Sequence, residues 1–193
     1  MDKKQILALL HELGDELANE ESYATINVCG GAAMAMIYDI NSPDDDIDVV
    51  LIDFDNRNKF NECVKRVANH YNLPESWLNE DVKIFVNSMK EPCFQEFDKF
   101  GTLSIRIISE EQLLAMKLFA ARRKDLDDAV VIAKSLCIVS KEELNNVLYK
   151  YFNERSVKFM AAHQKQPYYT EIFQDEVINK LPTPQRFNNF EVY

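Results

Sequence analysis

The sequence predicts an α+β (α/β) fold: a mixed sheet of four or five strands flanked by helices, followed by a C-terminal helical section. Three observations carry that prediction. Residues 3–20 and 56–71 repeat apolar positions at helical spacing. Short β-branched runs at 25–29 and 47–53 are interleaved with them, and residues 109 to about 163 read as successive helices. The expected organisation is a core over 1–108, a helical section over 109–163 packed on it, and an extended tail over 164–193.

The elements follow in order. Ile6, Leu9, Leu10, Leu13 and Leu17 make the first helix amphipathic. Residues 25–29 form a strand that ends at Gly30-Gly31, and the small, unbranched residues 32–38 read as a buried helix. Asn41-Ser42-Pro43-Asp44 is a turn by composition, because Pro43 fixes its own φ and Asn and Asp accept local backbone donors. The apolar residues of 47–53 run together, which predicts a strand covered on both faces. A helix over 56–71 comes next, then a Pro74 loop with Trp77, the sole tryptophan, as a core plug.

Residues 82–87 have strand composition, and 96–99 is expected to pair with 102–108 across Gly101. Ser109 with Gln112, Asp125, and Ser140 with Glu143 each signal a helix start. From Gln164 the periodicity fades among prolines and scattered aromatics, which predicts the extended tail.

Composition narrows the function classes. At 193 residues with 47% hydrophobic content, the chain suits one good core. No apolar run approaches the roughly 20 residues that cross a bilayer, and the acid-containing amphipathic N-terminus reads as no signal peptide. The net charge of −10 disfavours a protein that grips long nucleic acids by their phosphates, although Arg122, Arg123 and Lys124 form a local basic patch. The four cysteines lack metal or disulfide spacing, so buried thiols in a reduced cytoplasmic protein are expected. His11, His70 and His163 are scattered and suggest no ligand set.

The chemistry concentrates between residues 28 and 52. Along a strand, Asp46 and Asp48 share one face while Ile47 and Val49 take the other. Two carboxylates there repel each other and lose hydration unless a cation lies between them. A hard divalent ion, Mg²⁺ or Mn²⁺, suits that donor set when phosphates complete its shell. Gly30-Gly31 ahead of a helix offers backbone N–H groups to the same phosphates. The competing explanation is a solvated acidic loop beside a tight turn. A register using Asp44 and Asp46 is also possible, but it loses the apolar residue between the acids.

This combination resembles the nucleotidyltransferase fold of the DNA polymerase β type. Its signature is Gly-Gly or Gly-Ser, a spacer, then Asp-hydrophobic-Asp-hydrophobic. The match here is Cys29-Gly30-Gly31, the residues 32–45 as a slightly long spacer, then Asp46-Ile47-Asp48-Val49. Residues 109–128, with Lys117, Arg122, Arg123, Lys124, Asp125 and Asp128, are similar to a segment of bacterial proteins related to the AbiEii and MenT toxins. The resemblance spans about 25–150 and includes the Leu73–Asn79 loop.

It implies transfer of a nucleotide from an NTP to an RNA (tRNA) or protein acceptor, a possible toxin role, and restraint by a cognate antitoxin. Beside it stand physical roles. Asp46 and Asp48 hold the metal, Gly30 and Gly31 the phosphates, and Lys117 and Arg122 neutralise the triphosphate, one as a point charge and one as a fork. Lys124 is a weaker choice for that work. Asp125 and Asp128 would orient the basic groups or act near the incoming hydroxyl. A helix cap at Asp125, with Asp128 in the first turn, explains both acids equally well. For Lys117 the ordinary alternative is a snorkelling surface lysine.

One departure stands out. The family usually carries a third carboxylate on a neighbouring strand, and neither 82–87 nor 102–107 contains an acid. Arg106 stands where one is expected and could pair with Asp46 or Asp48. The absence supports a second reading, a catalytically inactive binding or interaction module of the same fold.

Overall fold

The computed structural model describes residues 1–41, 44–163 and 170–182. Nine helices and a five-stranded mixed sheet form among them, an α+β architecture as the sequence predicts. The chain divides into two compact units, Met1–Leu113 and Leu114–Tyr193, so the division falls inside a helix, beyond the expected boundary at 108.

In the first unit, α1 (Lys3–Asn19) begins with a capping box in which Asp2 and Gln5 satisfy each other's backbone N–H groups. Its apolar stripe is buried and packs against α2 (Gly30–Tyr38), α3 (Arg57–Tyr71) and the hairpin of β4 (Phe94–Phe100) and β5 (Leu103–Ile108). Gly14 permits that approach: a Cβ there would lie 2.2 Å from the Phe100 carbonyl oxygen.

The strands are β1 (Ala24–Val28), β2 (Ile47–Phe54), β3 (Leu78–Asn79), β4 (Phe94–Phe100) and β5 (Leu103–Ile108), in the spatial order β3-β2-β1-β5-β4. β1 runs antiparallel to β2 and parallel to β5, β3 runs parallel to β2, and β4 pairs antiparallel with β5 across Gly101. Trp77 is fully buried and donates its indole N–H to the Val64 carbonyl at 3.0 Å, so it plugs the core and offers no stacking face.

Several expectations for this unit need correction. Residues 82–87 are not a strand. Lys83–Val86 form a single helical turn, α4, in which Val82, Val86 and Met89 are buried while Ile84 is 61% exposed. That burial recurs every three or four residues, and it overrides the β-branched composition. β2 is covered on both faces only in its first half, since Ile52 and Phe54 are exposed. Gln112 does not complete a cap with Ser109. Instead its buried amide accepts from Cys93 N–H at 2.7 Å and donates to the Glu91 carbonyl at 3.0 Å, pinning the turn before β4. Cys29 and Cys63 are buried thiols as expected, whereas Cys93 and Cys137 are exposed.

The second unit takes up α5 (Glu110–Ala120) from Leu114 on, followed by α6 (Leu126–Ser135), α7 (Lys141–Tyr151), α8 (Glu154–His163) and α9 (Thr170–Lys180). The Ser140–Glu143 capping box opens α7 as its sequence announces. Phe119 and Phe152 stack with their ring centres 4.0 Å apart.

The extended tail is overturned over 170–180, which is helix α9 with Phe173 and Val177 fully buried. Tertiary contacts explain it. α9 packs on α6 and α7, and Gln174, Asp175, Glu176 and Lys180 bond to Asn145, Lys141, Arg123 and Asp127. The rest of the expected tail, 164–169 and 183–193, lies outside the described residues, as do Ser42 and Pro43 of the expected turn.

Candidate functional site

The predicted residues fall into two groups, one in each unit. In the first unit, β1 delivers the chain to Gly30, whose φ of +62° only glycine adopts without strain. Gly31 has no positive φ and continues into α2. The Cys29 N–H donates to the Asp48 carbonyl at 2.9 Å, extending the β1–β2 ladder to the turn. A Cβ on Gly30 would lie 2.4 Å from Oδ2 of Asp48, so the missing side chain leaves room for that carboxylate. The Cys29 thiol is fully buried, and burial first, then the neighbouring Asp48, pushes its pKa far up. It is a packing group, not a nucleophile.

Asp48 lies within β2 and Asp46 one residue before it; both are half-buried, while Asp45 is exposed. Asp44 stands further outside the strand, and its carbonyl accepts from the Met1 ammonium at 3.0 Å. Of the two registers, Asp46–Asp48 is the one with a carboxylate inside β2; Asp44 is half-buried like Asp46. β3 pairs with β2 at this point, with Asn79 directly across from Asp48, and the Asn79 amide donates to Oδ2 of Asp46 at 2.8 Å. Residues paired across a parallel ladder share a face, so Asn79 lies on the Asp48 side of the sheet while its amide bonds Asp46.

On the opposite side of β2, Asn27 of β1 pairs with Val50. Its side chain is buried, with Oδ1 lacking a hydrogen-bond partner. By strand alternation this orphaned oxygen belongs to the face of Asp48. Two carboxylates, one of them seated against the Gly30 turn, and an unsatisfied buried oxygen on the same face suit a hard divalent cation completed by ligands from outside the chain. Among the described residues no cluster of three or more His, Cys, Asp or Glu forms, so the donor set stops at two acids.

Arg106 does not oppose these acids. It pairs across the β4–β5 ladder with Glu96, at 2.7 Å. A cavity of about 490 Å³, lined by Val49, Phe60, Leu78, Asn79, Arg57 and Glu80 among others, reaches Asn79 but none of Gly30, Asp46 and Asp48. Glu80 is committed there: it accepts from Leu51 N–H at 3.0 Å and from Arg57 and Lys83. Burial raises its pKa, but those donors outweigh burial and the net shift is downward.

In the second unit, Lys117 on α5 is 5% exposed, and its ammonium donates to Oδ1 of Asp125 and Oδ2 of Asp128, each at 2.7 Å. Arg122 grips the same Asp125 with its fork, at 2.6 and 3.2 Å. Ala121, with φ +44°, turns the chain out of α5 so that the short turn Arg123–Asp125 brings Asp125 back over Lys117. Burial disfavours the charge on both Lys117 and Asp125, yet their mutual attraction outweighs it. The ammonium pKa is raised and that of the carboxyl is lowered. Lys117 is thus no snorkelling lysine.

The capping expectation for Asp125 also fails, because its side chain makes no cap bond to α6 and spends both oxygens on the cations. Two of the three ammonium N–H groups of Lys117 serve carboxylates, while the Arg122 side chain is 46% exposed.

No family model, curated protein or solved structure matches the chain. Asn79 and Asn27 went unrecognised in the sequence as site residues. Neither has a motif of its own, and only the strand register brings them beside the carboxylates.

Proposed function

We propose that this chain is a metal-dependent nucleotidyltransferase-like protein that transfers a nucleotide from an NTP to an RNA or protein acceptor. One observation carries the reading: the Gly30 turn and Asp48 are built against each other, with no room for a Cβ between them. A phosphate-cradling turn and a metal-binding carboxylate serve one substrate only if they are adjacent. In this reading Asp46 and Asp48 hold Mg²⁺ or Mn²⁺, which when bound neutralises phosphate charge. The start of α2, with Gly30 and Gly31, binds the phosphates through backbone N–H groups. Lys117 holds Asp125 and Asp128 in place, and Arg122 shares Asp125 with it.

Incubating the protein with each labelled NTP, a divalent ion and a total tRNA pool tests the reading. Label transfer that disappears in Asp48→Ala is the expected result; transfer unaffected by that change contradicts it. Growth arrest on induced expression, relieved by Asp46→Ala, would extend the reading to a toxin held by a cognate antitoxin.

A second reading, an inactive binding module of the same fold, is favoured by the neutral Asn79 beside Asp46 and Asp48. It predicts NTP binding without turnover.

A further inference from the structure

The contacts of Asn79 reach beyond its ladder position on β3. Its Oδ1 accepts from the Asp81 N–H at 2.9 Å, which fixes the orientation of the amide and turns the Nδ2 donor toward Asp46. It also sits in register with Asp48 on the adjacent strand. A single neutral side chain therefore touches one carboxylate and flanks the other.

We infer that Asn79 is a positioning residue that sets this corner to hold one divalent cation and not two. The inference rests on the nucleotidyltransferase reading above and specifies its metal content. Two arguments support it.

The first is geometric. A carboxylate that bridges two cations gives one oxygen to each, but Oδ2 of Asp46 already accepts the Asn79 N–H at 2.8 Å. The donor end of an amide occupies the place where a second cation would sit, and its partial positive charge repels one.

The second is electrostatic. Asp46 and Asp48 together carry two negative charges, which one divalent ion balances. Among the described residues no further acid, histidine or cysteine joins them to balance another. By holding Asp46 before any ion arrives, Asn79 also lowers the cost of organising the site, as outer hydrogen bonds to metal ligands generally do.

The test is Mn²⁺ binding to the full chain, by calorimetry and by electron paramagnetic resonance of unbound Mn²⁺, with Asp48→Asn as the baseline for adventitious surface ions. The wild type should bind one Mn²⁺ that the baseline variant lacks. Asn79→Ala clears the place of a second ion but adds no charge to balance it, so it should keep one Mn²⁺, with affinity weakened about 10–100-fold, the usual effect of losing such a partner. Asn79→Asp should take up a second Mn²⁺. It should also melt below the wild type without metal and recover when Mn²⁺ is added, a rescue that a purely structural asparagine would not show.

Two ions on the wild type, wild-type affinity in Asn79→Ala, or a single ion on Asn79→Asp would each overturn the inference while leaving the cation site intact. No Mn²⁺ on the wild type would overturn the underlying reading as well. Should Asn79→Asp not fold, the affinity of Asn79→Ala decides.

Discussion

Replacing Lys117 by Met is expected to destabilise the protein by about 3–5 kcal/mol, the usual cost of removing one partner from a buried ion pair. Among the described residues the ammonium is the one cation on Asp128, and it supplies one of the three bonds to Asp125. Without it Asp125, which is 1% exposed, keeps only the Arg122 fork. Urea denaturation of the wild type and Lys117→Met measures the difference. A loss below about 1 kcal/mol, the range of exposed pairs, would show that the cluster is solvated and that its role has been misread.

The same cluster sets a pH dependence. The Asp125 pKa is lowered in the folded state, so its contribution is complete above the ordinary aspartate value near 3.9 and is lost as pH falls through the lower folded value. The Lys117 pKa is raised, so its contribution is complete below the ordinary lysine value near 10.4 and is lost as pH rises through the higher folded value. These are two ends of one interaction and count once. Between those limits the cluster contributes fully. The stability difference between wild type and Asp125→Asn should accordingly shrink as the medium is taken below about pH 4.

Gly30→Ala carries the second large effect, and it falls on the site directly. A methyl group there is forced into a left-handed conformation, which costs about 1–2 kcal/mol, and lands 2.4 Å from Oδ2 of Asp48. The carboxylate must move, so cation binding should be lost well beyond what the modest drop in stability explains. Gly31, whose φ is not positive, carries no such backbone penalty, and Gly31→Ala serves as the comparison. Equal cation affinity in Gly30→Ala and wild type would show that Asp48 does not need its present position.

Much of this fold is legible in the chain wherever local signals and tertiary packing agree. The leucine stripe of α1, the Ser140–Glu143 box and the β4–β5 pairing across Gly101 are of that kind. Where they disagree, composition misleads. Residues 82–87 are half β-branched (Val82, Ile84, Val86), but their burial pattern is helical. Residues 170–180 have weak helical periodicity, but four polar ties and the buried Phe173 and Val177 hold them as α9.

The site divides the same way. Gly30, Asp46 and Asp48 form a linear motif, and their adjacency follows from the β1–α2–β2 order. The claim of Asp125 on Lys117, and not on its own helix end, depends on the turn that Ala121 makes, which no spacing rule announces. Asn79 is invisible in one dimension because a two-residue strand has no pattern to read.

The central claim is that the Gly30–Asp48 corner holds a divalent cation together with the phosphates of an NTP. Titrating a non-hydrolysable NTP into the wild-type protein and Asp48→Asn, each with Mn²⁺ and again with chelator, tests it most directly. Saturable binding to the wild type that requires the ion and is lost in Asp48→Asn is the expected result. NTP binding that survives chelation or the Asp48 substitution, or no binding at all, would contradict it.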